Sequence, residues 1–542
     1  MFTGAEAAAA SSVSFLATAI IAAYIGDAIG LSLHPTVILL LSVAAAGAVA
    51  VRLRPRATDA QGDLPAAAGI VGAVLSWLVW LAWPHMLPTG SGSDLTHHLQ
   101  LIEYIDRTGH LVHDRTLSAY LGEMIDYTPG SHLVAVLVGR WLRTDGLHAG
   151  YPTVALSIAL KAGIAFLIAL RILPRGTTRR PLALFAVLLL FVPRAYFAGS
   201  FTQHWFFAQV VAELFAVTMW WAIVAWDQDA TAGAAAMCGL AGAALFLTWP
   251  VWLGPALMTL AAIALLGRDV PMSVRARHMA LAGVPIAAVA AIHMSGRIGA
   301  AAIAGTSGFV ISPTAATMGW PLLVAGAVGT VRTALDRRSR AVAIFAGAIV
   351  LQAAALAAVA ARAQSDTPYL ALKMFYLMIY PLAVAGAAAV SLAVGRTARH
   401  GSVLAWTITV ALGALVARDL ALAPRPRPVI SDSLRDAGRW TLAHVPPQCV
   451  DYLVADDDSA YWLHLAVLGN PRASPRSLDS DTFEPRLALI RWVLAGGLPY
   501  AIVEDFDALP RDIRTNVDVL ARFERAAVVK RRGASSCSQR PS

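Results

Sequence analysis

The chain has 542 residues, of which 58% are hydrophobic and only 14% charged. Soluble domains carry about 25% charged residues, so this composition excludes an ordinary soluble protein and points to one embedded in a membrane. The formal net charge of +9 does not indicate nucleic acid, because Arg falls in short clusters between apolar runs, as in the cytoplasmic loops of membrane proteins.

A bilayer core about 30 Å thick takes roughly 20 apolar residues per helix. Such runs are predicted near 12–33, 35–52, 66–87, 150–172, 181–193, 204–226, 231–248, 250–267, 279–295, 318–333, 341–361, 370–395 and 402–421. A further apolar piece, 130–142, is short for a full crossing. The opening residues MFTGAEAAAA lack the basic start of a cleavable signal, so the first run is expected to remain as a helix. Arg52, Arg54 and Arg56, then Arg171 to Arg180, Arg268 to Arg277, Arg332 to Arg340, and Arg396 with Arg399 form the clusters. All of them fall on the cytoplasmic side if the N-terminus is cytoplasmic and 130–142 does not cross.

The expected fold is an all-α polytopic membrane protein of about 13 transmembrane helices, in the plasma (inner) membrane, with a small C-terminal extracytoplasmic α/β domain. The membrane domain is placed at 1–422, with a large external loop at 88–132. A Pro-rich linker follows at 423–430, stiffened by Ala-Pro-Arg-Pro-Arg-Pro. Residues 431–542 form the soluble unit. There, helical patterns at about 432–443, 459–467, 485–495 and 515–524 alternate with strand-like runs at Cys449–Ala455, Tyr500–Glu504 and Ala526–Val529. Cys449 and Cys537 would share an oxidising compartment, so they form either a disulfide or two separate thiols. Three cysteines in all make no metal cluster.

The loop at 88–132 concentrates titratable groups. It holds Asp94, Glu103, Asp106, Asp114, Glu123 and Asp126, with His97, His98, His110, His113 and His132. At 100° per residue, Leu95, His98, Leu99, Leu101, Ile102 and Ile105 share one side of a helix. Gln100, Glu103, Tyr104 and Arg107 take the other, which describes an amphipathic interfacial helix. Asp94 opens it, either as an N-cap or as a working carboxylate beside His98 on the apolar side. The run Tyr127-Thr128-Pro129-Gly130-Ser131-His132 breaks the chain before the next apolar piece. His132 enters that piece, where an ionisable group needs a cavity or a partner. The stretch between these ends, about 106–122, reads as lid or solvated surface.

The other external loops are 194–203, 296–317 and 362–369, and of these 194–203 and 362–369 are candidates to line one cavity with it. Arg194 and His204 belong either to an aromatic belt or to the wall of that cavity. Only three Lys stand among the basic residues: Lys161, Lys373 and Lys530. Lys373, four residues after Tyr369, either snorkels to the headgroups or meets a phosphate oxygen as a point charge. Lys161 lies mid-span and needs a partner; Glu213 and Asp27 are the candidates for a structural pair.

The order of these features resembles the GT-C superfamily of membrane glycosyltransferases. The resemblance rests on Asp94 with His97 and His98 on a loop helix, then Tyr-x-Pro-Gly-x-His from Tyr127 to His132. A multispan body follows, with Tyr369 and Lys373 in Tyr-x-x-x-Lys late in it, and an external tail ends the chain. It implies transfer of a sugar from a polyprenyl-phosphate donor to a glycan, lipid or protein acceptor on the outer face. Asp94 would be the general base of an inverting transfer. Lys373, with His98 or His132 and with Arg194, would stabilise the leaving phosphate. His97, Tyr127, His204 and Tyr369 complete the implied substrate-binding set. Membrane lipids are partners and nucleic acid is not. No cofactor is required, and a divalent metal is left open. No nucleotide is needed, in keeping with the lack of a glycine-rich phosphate loop. A transporter or flippase for a lipid-linked sugar is the alternative, and needs alternating access. A scaffold reading leaves Asp94, His98, His132 and Lys373 unexplained.

Overall fold

The computed structural model describes residues 2–53, 63–84, 93–267, 270–295, 308–365, 367–395, 400–426, 428–471, 485–494 and 498–534, and only the backbone of Ser93, Asp94, residues 485–487, Arg491 and Leu494. Among the described residues nine helices are long and apolar enough to cross a membrane. They are Gly4–Ala28, Pro35–Arg52, Asp63–Ala82, Gly146–Ile172, Phe207–Asp229, Met272–Met294, Arg340–Arg362, Tyr369–Gly395 and Gly401–Ala421. The remaining predicted spans are shorter helices: Arg179–Leu189, Ala232–Thr248, Pro250–Leu266 and Trp320–Leu335. Gly130–Leu142 has 13 residues, a length of about 20 Å, which falls short of the bilayer core.

Two boundaries differ from the prediction for clear reasons. The first helix begins at Gly4 rather than near 12, because Thr3 and Glu6 form a capping box: Glu6 N–H donates to Thr3 Oγ1 (3.2 Å) and Thr3 N–H to Glu6 Oε2 (2.8 Å). The third ends at Ala82 rather than near 87, since Pro84 cannot continue it.

The chain divides into two compact units. One comprises Met1–Leu81, Thr128–Leu137 and Pro152–Arg425; the other comprises Ala82–Tyr127, Val138–Tyr151 and Pro426–Ser542. In the first, Phe207–Asp229 and Gly146–Ile172 are buried almost throughout and form the centre. Pro35–Arg52 and Gly401–Ala421 are mostly exposed, and their outward Val37, Leu40, Leu41, Val403 and Val410 suit a lipid surround. One end of this bundle is tied by ion pairs. Glu6 pairs with Arg171, which also reaches Asp229 (3.1 Å); Arg180 meets Asp63 (2.8 Å) and Arg340 meets Asp227 (2.6 Å).

In the second unit the tail forms a four-stranded sheet of β1 Val450–Leu453, β2 Tyr500–Val503, β3 Val517–Phe523 and β4 Ala526–Arg531. Their order is β1-β2-β4-β3, with β1 parallel to β2 and the other pairings antiparallel. Trp492 and Ala488 of the helix Pro485–Leu494 pack on Leu453, Val503, Val517 and Val529. The helix expected at 515–524 is a strand. Val517, Val519 and Phe523 suit a pleated surface, and β3 turns into β4 through Glu524 and Arg525, where Glu524 takes a positive φ of 50°. Cys449 is disulfide-bonded and Cys238 is free and buried. Cys537 lies outside the described residues.

A charged clasp joins the loop segments to the tail inside this unit. Arg435 of the helix Asp432–His444 pairs with Asp145. Asp145 Oδ1 also accepts from His148 N–H (2.9 Å) and meets His148 Nδ1 (2.9 Å), while His148 Nε2 faces Asp432 (2.9 Å). Arg439 reaches Glu103 at 3.3 Å. Burial opposes ionisation of Asp145, but the His148 hydrogen bonds and the Arg435 charge outweigh it and hold its carboxyl well below the usual range. A depressed folded value stabilises the fold fully above about pH 4 and loses that contribution as pH falls through it. The melting temperature of the full chain in detergent is therefore expected to fall below that pH. Asp145→Asn should lower it at pH 7 and remove part of the slope; an unchanged slope would exclude Asp145 as its source.

Candidate functional site

The loop half of the expected site is built on the helix Ser93–Thr108. Asp94 stands at its start, where only its backbone is described. His97 and His98 follow on the same helical face, since positions three and four apart are neighbours. His97 Nδ1 lies 2.7 Å from Glu123 Oε1, and His97 Nε2 lies 3.1 Å from the hydroxyl of Tyr461 in the tail. A carboxylate only accepts, so Nδ1–H donates to Glu123, and Nε2 meets the Tyr461 hydroxyl. Both nitrogens of His97 are thus engaged inside the unit, and His97 braces the helix between loop and tail. His98 is 4% exposed and stands edge-on to Tyr127, with centroids 5.1 Å apart.

The interfacial-helix expectation needs correction here. Gln100, assigned to the polar side, is fully buried, because its Nε2 donates to the Tyr120 carbonyl at 2.6 Å. Nor is 106–122 a plain solvated surface. Tyr120 and Leu121 are buried, and Asp106 accepts from Arg140 Nε (3.2 Å) and from Gly146 N–H (2.9 Å).

The motif's second half belongs to the bundle unit. Thr128 Oγ1 donates to the Thr248 carbonyl at 3.0 Å. A Cβ on Gly130 would lie 2.5 Å from Thr248 Oγ1 and 2.8 Å from the Leu247 carbonyl oxygen. The glycine in Tyr-x-Pro-Gly-x-His is therefore a close-approach residue. Gly130→Ala should cost about 1–3 kcal/mol, the usual range for overpacking, read as a lower melting temperature of the detergent-solubilised chain. His132 is fully buried against Phe207, with centroids 5.5 Å apart.

Lys373 is 1% exposed at the start of Tyr369–Gly395. Its Nζ lies 2.9 Å from the Phe206 ring centroid, 5.2 Å from Tyr369 and 5.3 Å from Tyr376. His204 and Phe309 close on Phe206 at 5.8 and 6.4 Å. The predicted span at 204–226 starts only at Phe207, so His204 is a loop residue. Burial first, and then the charge of Lys373, push the His204 imidazole below its ordinary value. It is thus a neutral wall near the lysine and adds no second cation at neutral pH. Arg194 is engaged elsewhere. It pairs with Asp419 at 2.6 Å and lines a cavity of about 130 Å³ with Trp77, Phe197, Gln203 and Leu420. A pairing across some 225 residues leaves no local trace in the sequence.

The mid-span Lys161 finds Glu213. Their ion pair is fully buried, and Tyr380 donates its hydroxyl to the same Glu213 Oε2 at 2.6 Å. Gln209, one helical turn before Glu213, faces the same carboxylate. For a metal, the group found among the described residues is Asp456, Asp457 and Asp458, whose carboxylates lie within 4.8 Å of one another. Asp456 already caps its short helix by accepting from Ser459 N–H at 2.7 Å.

No protein-family model matches the chain, and no curated protein does. Among solved structures, ArnT from Cupriavidus metallidurans bound to undecaprenyl phosphate is 17% identical with a TM-score of 0.48, covering 87% of this chain and 98% of that one. The apo oligosaccharyltransferase of Archaeoglobus fulgidus is 13% identical with a TM-score of 0.46, covering 81% and 70%. The same organism's AglB with an inhibitory peptide and a dolichol-phosphate gives 13%, 0.46, 83% and 70%. These TM-scores lie below 0.5, so the reading that follows stands on this chain's own residues.

Proposed function

We propose that the chain is a membrane glycosyltransferase of the GT-C kind. It moves a sugar from a polyprenyl-phosphate donor to an extracytoplasmic glycan, lipid or protein acceptor, with inversion. The observation that carries the reading is Lys373, a buried ammonium at a helix start walled by Phe206, Tyr369 and Tyr376. A lipid phosphate is a stable anion, so its departure needs a fixed positive charge more than an acid. A point charge among rings supplies it where water does not weaken it. The rings also offer apolar surface to an isoprenoid.

Asp94 takes the proton of the acceptor hydroxyl as its oxygen bonds to the anomeric carbon. The bond from that carbon to the phosphate oxygen breaks, and its electron pair leaves with the lipid phosphate. His97 holds the helix that carries Asp94, through Glu123 and Tyr461. His98, Tyr127 and His132 are the further sugar- or phosphate-facing groups. The order of motifs in the chain supports the same reading.

The test is purified full chain in nanodiscs, supplied with synthetic decaprenyl-phosphate sugars and a pool of envelope acceptors, with products followed by mass spectrometry. A covalent product with release of decaprenyl phosphate is the expected result. Movement of labelled donor across reconstituted vesicles, with no covalent product, would replace this reading by the transporter.

A further inference from the structure

The buried pair Lys161–Glu213 is not used by that chemistry, and stability alone does not call for it. Apolar groups of similar volume often serve a buried site as well as an ion pair. What they cannot supply is an acceptor for the Tyr380 hydroxyl or a cation shared by two rings. Both are present here. Tyr380 donates to Glu213 Oε2 at 2.6 Å, and Lys161 Nζ lies 5.3 Å from the Phe197 centroid and 5.9 Å from that of Tyr380.

These two rings begin a series of ring contacts that ends at Lys373. Phe197 stands edge-on to Tyr380 at 6.1 Å, and their neighbours Tyr196 and Tyr376 lie tilted against each other at 4.5 Å. Tyr376 lies one helical turn before Tyr380, and Tyr196 lies next to Phe197. A third segment locks the far side: Tyr196 donates its hydroxyl to the Ile311 carbonyl at 2.9 Å, and Ile311 N–H donates to the Tyr376 hydroxyl at 3.3 Å. Tyr376 then stands edge-on to Phe206 at 5.6 Å, the ring on which Lys373 rests.

Resting on the glycosyltransferase reading, we propose that Lys161, Glu213 and Tyr380 are positioning residues for Lys373. They fix the chain of edge-on and tilted ring contacts through Phe197, Tyr380, Tyr196, Tyr376 and Phe206 that sets where the lysine ammonium stands to meet a lipid phosphate.

The three lysines of the chain make the test direct. Full chain labelled with ε-13C-lysine in nanodiscs gives one resonance each for Lys161, Lys373 and Lys530, and Lys373→Arg identifies the second. Phe206 should shift that resonance by its ring current. Decaprenyl phosphate is titrated in as the probe. Tyr380→Phe removes one hydroxyl and keeps the ring. It should move the resting Lys373 resonance and raise the titration midpoint about two- to thirtyfold, the range of indirect couplings. The double variant Lys161→Met with Glu213→Met removes the acceptor while keeping apolar volume, and should do the same. If decaprenyl phosphate moves the Lys373 resonance in the parent and both variants leave resonance and midpoint untouched, the positioning role is overturned while the phosphate reading stands. If decaprenyl phosphate leaves the parent resonance where it was, the phosphate reading falls, and this inference with it.

Discussion

Asp94→Asn should lose sugar transfer by about 10²- to 10⁴-fold, the usual share of a general base. The choice of Asn separates the two roles open to this residue. Asn caps a helix as well as Asp does, so a pure cap would leave the variant active. As the base, Asp94 has no substitute, because the amide cannot take a proton from the acceptor hydroxyl. Donor binding should stay within about twofold, since the loss falls on a group acting mainly in the transition state. The acidic limb of the kcat/KM profile should also disappear. The measurement is initial-rate kinetics with a synthetic donor, beside a binding titration with decaprenyl phosphate. Full activity in the variant would end the base assignment and leave the fold untouched.

The second large effect is expected at Lys373. Lys373→Met keeps length and apolar character but removes the charge, and should lower kcat/KM for the donor by about 10²- to 10³-fold, as loss of one preorganised anion-stabilising group does. Product inhibition by decaprenyl phosphate should weaken in parallel. Lys373→Arg should recover little. A planar guanidinium cannot occupy a position 2.9 Å from the Phe206 centroid in the way a compact ammonium does. A methionine variant that turns over like the parent, with product inhibition intact, would mark Lys373 as a residue that only anchors its helix.

Much of the fold could be read from hydropathy because lipid imposes a local rule: a crossing helix must satisfy its backbone within its own segment. Helix ends were less legible. Hydropathy starts the first run near 12, yet the helix begins at Gly4, where Glu6 is held by its cap and by Arg171, which lies 165 residues later. The strand at 517–523 carried too few residues to separate a helical from an alternating pattern, and its partner decided it.

The same division holds at the site. Asp94, His98, Tyr127, His132 and Lys373 are proposed from residue type and position in the sequence. Their neighbours are not legible in this way. Tyr461 meets His97 across 364 residues, and Phe206, the ring nearest Lys373, lies on another segment far earlier in the chain. An aromatic residue in a membrane protein is too common to mark such a role.

The contact between Glu6 and Arg171 bears on how the chain is made. Glu6 leaves the ribosome first, and its cation follows 165 residues behind. At about 5–20 residues per second, the wait is roughly 8–33 seconds. Through that interval the carboxylate can remain only where water or lipid headgroups reach it. The first helix is therefore held near the surface by its own acid until the central helix arrives to claim it.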